Sequence, residues 1–248
     1  MRLIQWHNRY ILQAFWTHKL RQFLLSKIQV HSGDKVLDVG SGTGALFSDF
    51  HNQGIQVTGL DNDFDRCQFS LPLNNSQNII CGNGYSLPVA SGSYDLAVCH
   101  YLLLWLKKPE LLLREMKRVI KPGGYLFAFA EPDYQSRIDY PELFQKIGQF
   151  QNHSLAFQGV DLAMGRKLGF LFRGLGLDNV NVGLLAGEWK EPTLDVFLNE
   201  WDMIAYDLGG FVPANEILEL KSEAQAAWLD GTATIFIPTF YAYGQVPY

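Results

Sequence analysis

Between residues 34 and 131, short apolar runs alternate with stretches of helical spacing. Lys35-Val36-Leu37-Asp38-Val39 reads as a strand that runs into Gly40-Ser41-Gly42-Thr43-Gly44. A short helix through Ala45, Leu46, Phe47 and Phe50 follows it. Gln56 to Leu60 is a second strand ending at Asp61, Asn78 to Cys81 a third, and Tyr94 to Cys99 a fourth. Leu111, Leu112, Met116, Val119 and Ile120 fall on one side of a helix over Glu110 to Ile120. Lys121-Pro122-Gly123-Gly124 stops that helix, and Tyr125 to Ala130 is a fifth strand. Strands alternating with helices predict an α/β fold with a largely parallel sheet.

The flanks are less regular. Ile11, Phe15, Leu20, Phe23, Leu24 and Leu25 predict one or two helices within residues 1–30. Leu162 to Gly174 reads as a helix, Val180 to Leu185 as a strand, and Pro192 to Leu208 and Ala214 to Trp228 as two helices. Thr232 to Tyr243 is rich in β-formers and reads as one last strand, bent near Pro238. The expected organisation is an N-terminal helical cap over 1–33, an α/β core over 34–186, a helical insertion over 187–230, and a final strand within 231–248.

Composition narrows the class. Charged residues make up 18% and aromatic residues 14%, against roughly 25% charged in an ordinary domain. With 48% hydrophobic residues the chain has enough apolar surface to fold, which excludes a disordered polymer. Cys67, Cys81 and Cys99 are widely spaced and suit the reduced thiols of a cytoplasmic protein, not a disulfide scaffold. No apolar run is long enough to span a membrane, and Met1 to His7 does not read as a secretory leader. The net charge of −5 argues against a partner held through phosphates. No metal-ligand spacing and no G-x-S-x-G element occurs, so neither a metal nor a nucleophilic serine is expected.

The glycine loop carries the chemistry. Glycines between a strand and a helix let a ligand approach bare backbone. Gly40-Ser41-Gly42-Thr43-Gly44-Ala45 also satisfies the dinucleotide fingerprint, with Asp61 at 21 residues from Gly40. Three features separate the readings. Asp38 precedes the first glycine, where a carboxylate suits a cationic ligand and repels a pyrophosphate. Gly82-Asn83-Gly84-Tyr85-Ser86-Leu87-Pro88 leads into the strand that begins Ser93-Tyr94-Asp95-Leu96. Leu113 to Ile120 then runs through Lys121-Pro122-Gly123-Gly124 into Tyr125-Leu126. Together these blocks resemble the class I S-adenosylmethionine-dependent methyltransferases, most closely the group acting on small molecules, strongly over residues 34 to 131.

The resemblance implies a Rossmann-like, doubly wound sheet of seven mostly parallel strands with an antiparallel last strand, covered by a helical lid. It implies S-adenosyl-L-methionine as cofactor. Gly40, Gly42 and Gly44 match the loop under its methionine part, and Asp38 the leading acid. Asp61 matches the acid that binds both ribose hydroxyls, a charge-assisted contact. Asn62 would flank the adenine. Asn83 stands where the family usually has Asp; its amide oxygen still accepts a bond from the adenine amine. Gly84 would open its backbone to the ring, and Cys99 and His100 would lie beside the sulfonium.

His100 follows a strand's C-terminal end and titrates near neutrality; base, positioning and structural roles all remain open for it. Glu131, Asp133 and Tyr134 follow the fifth strand and are candidates for substrate contact, as is Trp201 in the insertion. Rings gather in the N-terminal segment (Trp6, Tyr10, Phe15, Trp16) and late in the chain (Trp189, Phe197, Trp201, Tyr206, Phe211, Trp228). They read mostly as packing and otherwise as an apolar pocket wall. Arg21 reads as an exposed helix cation, or as a group reaching the cofactor carboxylate. The expected reaction is in-line methyl transfer to a small, low-charge organic molecule or a short peptide. The alternatives are nucleic-acid methylation, a nicotinamide oxidoreductase, and a non-catalytic module that kept the cofactor pocket. The first lacks an Asn/Asp-Pro-Pro-aromatic tetrad after the fourth strand, where Cys99-His100-Tyr101-Leu102 stands instead.

Overall fold

The computed structural model describes residues 2–74, 78–185 and 192–248. Trp189 and the boundary drawn at 186/187 lie outside the described residues. In chain order the elements are α1 (Leu3–Lys27), β1 (Lys35–Val39), α2 (Phe47–His51), β2 (Gln56–Asp61), α3 (Phe64–Ser70), β3 (Ile79–Cys81) and β4 (Tyr94–Cys99). Next come α4 (Pro109–Val119), β5 (Ile120–Pro132), β6 (Ile138–Tyr140), α5 (Glu142–Phe157), α6 (Met164–Arg173) and β7 (Asp178–Leu185). The chain closes with α7 (Leu194–Leu208), α8 (Ala214–Leu229), β8 (Thr234–Phe236) and β9 (Thr239–Gln245).

Two compact units are formed. The first takes the residues up to Glu131 with Arg166–Leu185 and Phe240–Tyr248. The second takes Pro132–Gly165 and the described residues from Pro192 to Thr239.

The first unit is built on a seven-stranded sheet of order β3-β2-β1-β4-β5-β9-β7. β1 pairs in parallel with β2 (Asp38 opposite Gly59) and with β4 (Asp38 opposite Val98). The strand order reverses at β1, which sets a ligand crevice at the strand ends beside the glycine loop. The last strand runs antiparallel to the rest; next to its end, Gly123 N–H donates to Val246 O and Val246 N–H to Gly124 O, each at 2.8 Å. α4 starts at Pro109, which suits a first helical position, and has Lys117 and Arg118 in its last turn, where cations favour the helix dipole. Its apolar side buries Leu112, Leu113, Met116 and Val119. The interior centres on Phe47, Phe50, Phe127, Phe129 and Tyr243. The Phe127 ring stacks on Phe129 at 5.1 Å and on Tyr243 at 5.2 Å.

The second unit packs α5 with α7 and α8 around Phe144, Ile147, Phe197, Trp201, Leu208 and Leu220. Its two-stranded sheet pairs β6 with β8. Residues 132–165, grouped with the core from sequence, supply α5 and β6 to this unit because Phe144 and Ile147 have their apolar partners there.

One strand needs correction. The segment expected to be a single bent strand over Thr232 to Tyr243 is two strands, β8 and β9, in two different sheets. Pro238 lies between them; it has no N–H to offer a ladder, and its carbonyl accepts the Asp133 N–H at 2.7 Å. Neither α3 nor α5 was expected. α3 is set by Asp63, whose side chain accepts from the Asp65 and Arg66 amides. α5 shows its period through buried Phe144, Ile147, Gln151 and Leu155.

Candidate cofactor site

The loop after β1 is held from β2. Gly40 N–H donates to Leu60 O at 2.7 Å and Ser41 N–H to the same oxygen at 3.0 Å. Gly42 N–H donates to Asp61 Oδ2 at 2.8 Å. Gly40 and Gly44 have φ of +72° and +80°. A Cβ at Gly40 would come within 2.7 Å of Leu102, and one at Gly44 within 2.5 Å of the Phe47 ring. Conformation and packing therefore both require glycine there. Asp61 Oδ1 accepts the Asp63 N–H at 3.0 Å. Its carboxylate is buried and fixed from two sides, and it keeps further lone pairs for a ligand hydroxyl.

Asp38 is 2% exposed, and its Oδ2 has no hydrogen-bond partner among the described residues. The buried Ser41 Oγ is in the same state. Burial pushes the Asp38 carboxyl up to about 7, against the pull of the Arg21 cation and with help from the Asp61 charge. A buried acid without a donor is costly unless a ligand supplies one.

β2–β3 pairing carries the residues expected near an adenine to this end. Asp61 stands opposite Cys81, and Gly82 N–H donates to Asp61 O at 2.8 Å. Asn62 is exposed. Asn83 is also exposed, with its Oδ1 accepting the Tyr85 N–H at 2.9 Å in an Asx turn. A Cβ at Gly84 would meet Leu112 at 2.4 Å, so this glycine lets the turn pack on α4.

At the end of β4, Cys99 is fully buried, and burial holds its thiol well above the ordinary range. His100 is half-buried, and its Nε2 lies 2.9 Å from Thr17 Oγ1. Burial first, and then the Arg21 cation, hold the imidazole well below its usual pKa, so it is neutral at pH 7. Thr17 Oγ1 accepts from Arg21 Nη1, leaving one hydroxyl proton to give. That proton is within reach of the Ala14 and Gln13 carbonyls at 3.2 and 3.3 Å as well as of His100 Nε2.

Arg21 corrects the reading of an exposed cation. It is 1% exposed, with Nε donating to Asp49 Oδ2 at 2.7 Å and Nη2 to the same oxygen. α1 lies against the glycine loop at two further points. The Tyr10 ring is 3.4 Å from where a Gly42 Cβ would be, and His7 Nδ1 is 2.9 Å from Thr43 Oγ1. Nothing in the spacing of His7 or Arg21 marks them, because their partners lie in elements distant along the chain.

Glu131 is fully buried and its oxygens go to backbone. Oε1 accepts from Leu102 and Leu103 N–H at 3.0 and 2.8 Å, and Oε2 from Leu104 N–H at 3.1 Å. Burial raises its pKa to about 7, against these three amides. It therefore ties down the segment after β4. Asp133, Tyr134 and Trp201 belong to the second unit. Asp133 accepts from Ser136 N–H, and Tyr134 O accepts from Asn152 Nδ2 at 2.9 Å. Trp201 is 2% exposed and stacks on Phe197 at 5.7 Å, within that unit's apolar interior. Among the described residues no group of three or more His, Cys, Asp or Glu is placed to hold a metal ion.

Residues 37–128 match a family model described as a methyltransferase domain. They form a class I S-adenosylmethionine-dependent methyltransferase domain. A demethylmenaquinone methyltransferase of Renibacterium salmoninarum is 29% identical to it over 126 residues, 50% of this chain and 53% of that protein. A malonyl-[acyl-carrier protein] O-methyltransferase of Pectobacterium atrosepticum is 28% identical over 142 residues, 56% of each. The chain thus spans about half the length of the curated relatives it matches. In structure, the methyltransferase domain and its flanks resemble the YcgJ protein of Bacillus subtilis, with TM-score 0.59 and 16% identity over 93% of this chain and 99% of that one. Haemonchus contortus phosphoethanolamine N-methyltransferase 2 superposes with TM-score 0.58 and 15% identity, covering 96% of this chain and 57% of that one. At such identities the likeness speaks for the fold.

Proposed function

We propose that this chain transfers a methyl group from S-adenosyl-L-methionine to a small, low-charge organic molecule. The observation that carries the reading is the unpartnered buried Asp38 Oδ2 beneath a glycine loop whose middle amide is locked to Asp61. A buried carboxylate of that kind fits the ammonium of an amino acid, and Asp61 fits a pair of ribose hydroxyls. A pyrophosphate would meet the Asp38 carboxylate beside the glycine loop, which disfavours the nicotinamide alternative. When bound, the cofactor supplies an electrophilic methyl on a sulfonium, already equipped with a good leaving group.

What the protein adds is placement. Holding a nucleophile in line about 3 Å from its target contributes roughly 7–11 kcal/mol. Glu131 fixes the backbone of Leu102–Leu104 at the strand ends, and neutral His100, held beside Thr17, stands at the end of β4 to orient an acceptor. Relatives named for demethylmenaquinone and for malonyl-[acyl-carrier protein] fit an acceptor with little positive charge; a short peptide is the second substrate class. The free thiols Cys67, Cys81 and Cys99 fit a cytoplasmic setting.

Calorimetric titration with S-adenosyl-L-methionine and with S-adenosylhomocysteine tests the cofactor, and an absence of binding to both ends the proposal. Isotope-labelled cofactor incubated with quinols, phenols, carboxylic acids and short peptides then reads the acceptor. Label appearing only on tRNA or DNA would overturn the small-molecule reading.

A further inference from the structure

α1 is apolar on two sides. One side buries Ala14, Leu24 and Leu25 in the first unit. The other leaves Phe15 68% and Phe23 52% exposed, with Ile4, Ile11 and Trp16 exposed beside them. On a helix of 3.6 residues per turn, Ile4, Ile11 and Phe15 share one stripe, and Trp16 and Phe23 share the next.

The charge on this segment is one-sided as well. Residues 2–33 contain Arg2, Arg9, Lys19, Arg21 and Lys27 and no Asp or Glu, although the whole chain carries −5. Arg21 faces inward, while Arg2, Lys19 and Lys27 are exposed. Cations lie beside rings: Arg9 is 4.8 Å from the Trp16 ring centre and Lys27 5.0 Å from that of Phe23. Rings and branched chains that reach out between cations match the boundary between lipid tails and headgroups.

We propose that this outer face of α1 docks on an anionic lipid surface. Charge selects the occupant. A second copy placing the same face against itself would bring like charges together with no acid on α1 to offset them, which disfavours a symmetric dimer. A nucleic acid would meet the cations but leave Ile4, Ile11 and Phe15 unburied. No described helix is long and apolar enough to cross a membrane, so α1 lies along the surface. The inner side of this helix touches the glycine loop through Tyr10 and His7 and meets His100 through Thr17. The surface contact and the cofactor site therefore share one rigid element. The docking itself does not depend on the proposed reaction.

Co-sedimentation of the full chain with phosphatidylcholine vesicles, with and without phosphatidylglycerol, tests this. Binding is expected only with the anionic lipid and should weaken as salt rises. Phe15→Glu/Phe23→Glu and Lys19→Glu/Lys27→Glu are each expected to reduce it roughly tenfold or more, with circular dichroism checking that the fold persists. Should a double variant fail to fold, brominated lipid gives a second reading: it quenches the protein's fluorescence, and Trp16→Phe removes part of that quenching. The proposal is overturned by equal binding to neutral vesicles, by no binding, or by variants that bind like the parent. It is equally overturned if light scattering shows a dimer that Phe15→Glu separates.

Discussion

Asp61 receives the Gly42 amide on one carboxylate oxygen and the Asp63 amide on the other, so the group that fits the ribose also shapes the loop beneath it. An amide in its place would turn an NH2 toward one of those two donors. Asp61→Asn is therefore expected to cost nearly as much as Asp61→Ala, about 1.5–3 kcal/mol in cofactor binding, or roughly 10- to 100-fold in calorimetric affinity. An Asn variant that binds like the parent would separate Asp61 from the ribose. This residue was legible in the sequence because strand, glycine turn and acid form a local pattern. Gly40, Gly42 and Gly44 were legible on the same ground. Glu131 was legible as a residue of the strand ends but not as an anchor, since its three amide partners lie at Leu102–Leu104. His7 and Arg21 were hidden for the same reason: the side chains they meet, Thr43 and Asp49, come close only through the fold.

At the scale of elements, α1 is held to the sheet by polar contacts as much as by leucines. Arg21 joins Asp49 of α2 to Thr17, and Thr17 joins His100 at the end of β4. Removing one partner of a buried ion pair strands the other, so Arg21→Met is expected to lower stability by roughly 3–5 kcal/mol in urea unfolding. Asp49 keeps a contact with His18 Nδ1 at 3.0 Å, which favours the lower part of that range. The same variant should raise the His100 pKa, followed by NMR titration, because the Arg21 cation is one of the two causes holding it down. The elements themselves were legible where period and punctuation agree, as at β1, β2, β4 and α4. They failed where one β-rich run serves two sheets. Composition over Thr232 to Tyr243 favours strand throughout, and only the pairing partners, β6 for one half and the large sheet for the other, divide it.

The molecule as a whole carries two buried acids whose folded pKa values are raised to about 7, Asp38 and Glu131. An acid raised on folding stabilises the native state at low pH, and that contribution is lost as pH rises through the folded value. His100, lowered on folding, works in the opposite sense but only below its unfolded value near 6.5. Stability to urea is therefore expected to fall between pH about 6.5 and 8. Asp38→Asn should flatten part of that slope while weakening cofactor binding. A midpoint that rises across this window in the parent would contradict the burial of both acids. The sheet order has a consequence for how the chain is made. β5 leaves the sheet at Pro132, and its neighbour β9 begins at Thr239, with the whole second unit translated in between. While the ribosome works through that stretch, β5 and β7 each present an open edge with no strand to bond. A nascent chain in this state is a template for stray pairing and a natural client for chaperones until β9 emerges.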